Sequence, residues 1–196
     1  MRRISIALLS LFAISGLARA EWQNTQTIGG MQTEVYKPAS EPALNDKRAL
    51  TIMLHGCNQT AKFFKDDGNW AASAEKYGMV VAIPLVPNGG KIEGCWDYFG
   101  TGHTLTNKYN GYIINMVDEL LADNSYNIDP KQVYIVGLSS GGGQAMVQAC
   151  LAPEKYAGIA VASTPAIGTN QYNLTYIPYG TTPSSTKDIC EGYAGS

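Results

Sequence analysis

Histidine is nearly missing from this chain: His55 and His103 are the only two in 196 residues. With four cysteines, no C-x-x-C pair and no Cys/His cluster of ligand spacing, a zinc site is not expected. Charge is sparse as well. Charged residues make up 15%, and 14 basic against 16 acidic residues form no basic stripe, which argues against nucleic acid as the main partner. No apolar run reaches the ~20 residues that a helix needs to cross a bilayer. What remains is a globular composition, 45% hydrophobic, with 21 Gly, 9 Pro and 12 Tyr, and a length suited to one domain.

The first 20 residues read as a secretory signal peptide. Arg2 and Arg3 precede an apolar run from Ile4 to Leu17, and Ala18-Arg19-Ala20 places small residues where a signal peptidase cleaves. A mature chain from Glu21 to Ser196 is therefore expected to be secreted, extracellular or periplasmic, with no membrane span once the leader is gone. Three of the 14 basic residues lie in that leader, which leaves 11 against 16 acidic. In an oxidising compartment Cys57, Cys95, Cys150 and Cys190 read as disulfide candidates, with three pairings open.

Met31 to Tyr36 alternates as a half-buried strand does, whereas Ala49–Leu54, Met79–Ile83, Val133–Val136 and Gly158–Ala162 are short apolar runs of strands covered on both faces. Between them, Asn69–Tyr77, Tyr109–Ala122 and Gln144–Leu151 read as helices; Gly78 ends the first, and Ile113, Ile114, Val117, Leu120 and Leu121 form the inward stripe of the second. Pro87 to Gly102 reads as an irregular Gly-rich segment, Asp129-Pro130 as a turn. This alternation predicts an α/β fold, a mostly parallel sheet with helices on both faces, and one domain over 21–196. From Thr164 to Ser196 the chain is polar, without periodicity, and is expected to be irregular.

Two segments carry chemistry. Gly137-Leu138-Ser139-Ser140-Gly141 follows an apolar strand and precedes a helix, the context in which G-x-S-x-G lifts a serine hydroxyl off the edge of a sheet on a strained turn. The free N–H groups at the start of the next helix lie where negative charge would form. The second segment, Leu54-His55-Gly56-Cys57-Asn58-Gln59-Thr60, leaves the end of an earlier strand. Acyl transfer builds an oxyanion, and the backbone amides of Cys57 and Ser140 are the candidate donors to it. His55 reads as a structural, hydrogen-bonded histidine. Asn58-Gln59-Thr60 and Asn173-Leu174-Thr175 match glycosylation acceptors, a pattern that arises easily by chance in an Asn- and Thr-rich chain.

Leu-His-Gly-Cys-Asn-Gln at 54–59, Gly-Cys-Trp-Asp-Tyr-Phe at 94–99 and Gly-Leu-Ser-Ser-Gly-Gly at 137–142, in that order, resemble secreted esterases of the polyhydroxybutyrate depolymerase type, related to feruloyl and acetylxylan esterases. Gly158 to Ser163 is similar to the strand that follows the nucleophile helix in that family. The resemblance implies an α/β-hydrolase three-layer sandwich, Ser139 as nucleophile, and Cys57 and Ser140 as oxyanion donors. It also implies a Cys57–Cys95 bond, leaving Cys150 to pair with Cys190, and Trp96 as an aromatic face for a polymeric or small-molecule ester. No metal or organic cofactor is implied.

The family order places an acid and then a histidine after the serine. No histidine follows Ser139, and Glu154, Asp188 and Glu191 precede any recognisable further strand. The expectation is thus a chain truncated before its last strands, with the acid and base segments absent, weakly active or inactive by itself, and with Gly158–Ala162 as an uncovered apolar edge. The competing reading is an exported binding protein that keeps the fold without catalysis; a cell-surface structural role has little beyond the leader to support it. Tyr172, Tyr176 and Tyr179 are candidates to line a cleft or to fill a loop.

Overall fold

In the computed structural model, which describes residues 20–170 and 182–193, the apolar runs become the centre of one seven-stranded sheet. Its strands are β1 (Glu21–Trp22), β2 (Gln26–Ile28), β3 (Met31–Lys37), β4 (Arg48–Leu54), β5 (Val80–Pro84), β6 (Ile128–Leu138) and β7 (Gly158–Ala162). The order is β1-β3-β5-β4-β6-β7, with β2 paired to β3. β5, β4, β6 and β7 run parallel; β3 joins β5 antiparallel, and β1 and β2 join β3 antiparallel. The alternation of apolar runs with helical stretches dictates the parallel part, because each crossover needs a helix.

Continuous apolar runs arise because successive side chains serve different layers. On β4 and β5, Leu50, Ile52, Leu54, Val80 and Ala82 pack with Ile113, Met116, Val117 and Leu120 of helix α3 (Asn110–Ala122) and Ala145 of α4 (Ser140–Leu151). Their neighbours Met53, Val81 and Ile83 pack oppositely, with Ala61 and Phe64 of α1 (Ala61–Asp67) and Ala74 of α2 (Trp70–Tyr77). Each fully buried Val, Leu or Ile contributes roughly 1.5–3 kcal/mol over exposure. The three layers follow from this arrangement.

Three expectations change. Asp129-Pro130 lies inside β6, where residues 129–132 bulge out of register between the pairs Arg48–Ile128 and Leu50–Val133, closed by Lys131 N–H donating to Asp129 Oδ1 at 2.9 Å. The helix expected over 144–151 begins at Ser140, so three glycines sit in its first turn. Helix α1 has a single signal in the sequence, Thr60, whose hydroxyl caps the Phe63 amide. The tail is not wholly irregular: helix α5 (Pro183–Tyr193) is held to α4 by the Cys150–Cys190 disulfide, with Tyr193 buried. Residues 1–19 and Tyr172, Asn173, Tyr176 and Tyr179 lie outside the described residues.

Among the described residues β7 pairs on one side only, with β6, and leaves Ile159 and Val161 44% and 39% exposed. A flat apolar edge of this kind templates association with other chains. Val161→Lys is expected to lower light scattering of the concentrated protein and to leave Tm unchanged; undiminished scattering would show that this edge is not where copies meet.

Candidate active site

Parallel register brings the two chemical segments together. Leu54 at the end of β4 pairs with Gly137 near the end of β6, so residues 55–58 leave the sheet beside the turn that carries Ser139. Ser139 has φ +53° and ψ −122°, a strained conformation for a side chain other than glycine, and it remains partly exposed. The strained turn is tied down on two sides. Its N–H donates to Ala162 O at 2.9 Å, and its carbonyl accepts from Thr164 Oγ1 at 3.1 Å. Sequence reasoning missed Thr164, since nothing in its neighbourhood distinguishes it from other polar loop residues.

Gly56 sits against Ser139: a Cβ built there would lie 3.2 Å from Ser139 Cβ and 2.7 Å from Gln59 Oε1. No acceptor among the described residues takes the amides of Cys57 or Ser140. An oxyanion receptor requires unpaired donors of this kind. The loop is clamped from below. Trp96 Nε1 donates to His55 O at 3.0 Å, Trp96 N donates to Ser140 Oγ at 3.4 Å, and the Cys57–Cys95 disulfide joins the loop to the Trp96 segment.

Trp96 therefore offers no aromatic face to a substrate. It is fully buried, edge-on to Tyr109 and 5.6 Å from the His55 ring, because its indole N–H is spent on the loop backbone and its body fills the core beneath. The expectation of a substrate-binding role for Trp96 is corrected to that of a support.

Neither histidine is poised as a base. His55 is fully buried; Nε2 accepts from Val86 N at 3.1 Å, which places the proton on Nδ1, donated to Gly56 O at 2.8 Å. Burial lowers its pKa. His103 is buried 3.1 Å from Tyr98 O, and Asn110 Nδ2 faces its Nδ1 at 3.4 Å. Burial, followed by the Lys108 charge, pushes it down to about 4.

This carries a pH signature. An unfolded histidine titrates near 6.5, so the folded chain binds fewer protons between that pH and about 4. The stability from neutral His103 is complete above about pH 6.5 and is lost as pH falls toward about 4. His103→Asn is expected to flatten this acid limb of Tm against pH; an unchanged slope would refute a neutral His103.

Comparison with known proteins agrees with the geometry. The family model described as esterase PHB depolymerase matches residues 33–178. The chain belongs to this esterase family. Over 183 residues it is 38% identical to the poly(3-hydroxybutyrate) depolymerase of Ralstonia pickettii, covering 89% of this chain and 38% of that protein. It is 36% identical over 136 residues to acetylxylan esterase A of Emericella nidulans, covering 67% of this chain and 42% of the relative. The chain thus spans about two fifths of these curated relatives. Among solved structures, the acetyl xylan esterase from Aspergillus awamori superposes with a TM-score of 0.69 at 24% identity, over 88% of this chain and 66% of that one, which shows the shared α/β-hydrolase fold.

Proposed function

We propose that this member of the esterase PHB depolymerase family acts on carboxylic esters through an acyl-enzyme on Ser139. The carrying observation is the strained Ser139 beside the unpaired amides of Cys57 and Ser140. Ser139 Oγ attacks the ester carbonyl, the two amides receive the oxyanion, and collapse expels the alcohol and leaves the acyl group on the serine. The serine proton must leave during attack. His55 and His103 both hold backbone partners, so within this chain the proton passes to solvent or to an added base. The substrate reading is a polyester of hydroxybutyrate type, which rests on the Ralstonia pickettii relative; acetylxylan and feruloyl esters are the alternatives. Export is part of the proposal, supported by two disulfides among the described residues; none of their helices is long and apolar enough to cross a membrane.

The test uses p-nitrophenyl butyrate, whose leaving group needs no acid. Butyryl is expected on the Ser139 peptide and not in Ser139→Ala. The rate should climb with pH between about 7 and 10, without the plateau that a histidine base near 6.5 imposes. Imidazole in solution should accelerate it. Removal of the triad base from a serine hydrolase costs on the order of 10⁶ in turnover, so slow hydrolysis is expected. Absence of butyryl from wild-type Ser139 even at alkaline pH with imidazole would defeat the esterase reading.

A further inference from the structure

We infer that Gln59 is a positioning residue of the oxyanion receptor, an inference that rests on the esterase reading above. The loop after β4 offers two successive amides near Ser139, those of Gly56 and Cys57. Only one is free. Gly56 N–H donates to Gln59 Oε1 at 2.7 Å, and the Gly56 carbonyl accepts from Gln59 N at 3.3 Å. Gln59 thereby closes a four-residue turn on itself, side chain to one face of Gly56 and backbone to the other. His55 Nδ1, at 2.8 Å from the same carbonyl, fixes the intervening peptide.

The consequence is directional. With the peptides on both sides of Gly56 pinned, the Cys57 amide is the N–H of this turn left without a partner among the described residues. An amide held by packing costs no reorganisation when charge develops, and displacement of a catalytic group by about 1 Å costs on the order of 10² in rate. Without the Gln59 acceptor, the Gly56 N–H loses its partner and competes with the Cys57 N–H for the oxyanion, and the His55–Gly56 peptide is held from its carbonyl side alone, by Trp96 Nε1 at 3.0 Å. The placement of the carboxamide is specific: its oxygen and Ser139 Cβ both lie within 3.2 Å of the point where a Gly56 side chain would begin. Gln59 is half-buried and belongs to none of the three core clusters, so the fold does not depend on its bulk.

Gln59→Met keeps length and volume and removes the acceptor. Acylation of Ser139 by p-nitrophenyl butyrate at alkaline pH is expected to slow by roughly ten- to a hundredfold at saturating ester. The half-saturating concentration and Tm should stay as in wild type. Hydrogen exchange gives a second measurement that needs no activity: the Gly56 amide is protected in wild type, exposed in Gln59→Met, and protected again in Gln59→Glu, whose carboxylate also accepts. An unchanged acylation rate, a rate loss that merely tracks a fall in Tm, or a Gly56 amide equally protected in Gln59→Met would overturn the assignment. Failure of the esterase reading shows separately, as absence of acylation in wild type.

Discussion

Gly141→Ala is expected to cost about 3 kcal/mol or more of stability, and to slow acylation of Ser139 at least about a hundredfold. A Cβ at this position would lie 2.2 Å from Leu54 O and 2.5 Å from His55 O, inside the backbone of the strand end that leads into the oxyanion loop. Backbone cannot rotate away as a side chain can, so α4 and β4 must separate, and that separation moves Ser139 relative to the Cys57 amide. Gly102→Ala is the control, because no heavy atom lies within 4 Å of its built Cβ; it should change stability by no more than about 0.5 kcal/mol. Thermal melts together with butyryl transfer decide the matter. A Gly141→Ala chain as stable and as reactive as wild type would mean that α4 and β4 are not in contact.

The second large effect distinguishes the two disulfides. Cys57–Cys95 and Cys150–Cys190 close loops of nearly equal length, with separations of 38 and 40 residues. Chain entropy alone assigns each between about 3 and 4.7 kcal/mol. Replacing either pair by serine should therefore lower denaturant stability by similar amounts. Acylation should part them. In the proposed reaction the Cys57 amide is an oxyanion donor, and losing one such donor costs about 10²–10³ in rate. Cys150–Cys190 anchors α5 against the far part of α4. The Cys57→Ser/Cys95→Ser chain is expected to lose both stability and acylation, and the Cys150→Ser/Cys190→Ser chain stability alone, assayed below its melting range. Equal acylation in the two double variants would show that the first disulfide does not hold the oxyanion loop.

Much of this was legible because short-range patterns report the environment of a strand. The four apolar runs became the parallel core, and the strand-serine-helix context located the turn that presents Ser139. Misreadings occurred where long-range contacts override local preference. Three glycines in a row argue against helix, yet Gly141, Gly142 and Gly143 open α4 because Leu54 O, Thr164 and the Tyr98 ring lie where their side chains would be. The 183–193 segment shows little apolar periodicity because its inward face is short: Ile189, Cys190 and Tyr193 alone pack on the cluster of Tyr98, Phe99 and Val147, with the disulfide fixing the contact. Trp96 reads equally well as a ligand platform or as core until His55 O is seen to take its N–H.

Residue order alone determined the fold class and located the strained turn at Ser139, because strand pattern, turn chemistry and glycine placement are local properties written along the chain. Only tertiary structure decided what each neighbour of those groups does. That Trp96 supports rather than binds, that His55 is held by Val86 and that Thr164 restrains the strained turn all depend on which atoms meet across the sheet edge, and hydrogen-bond partners tens of residues apart leave no periodic trace in sequence.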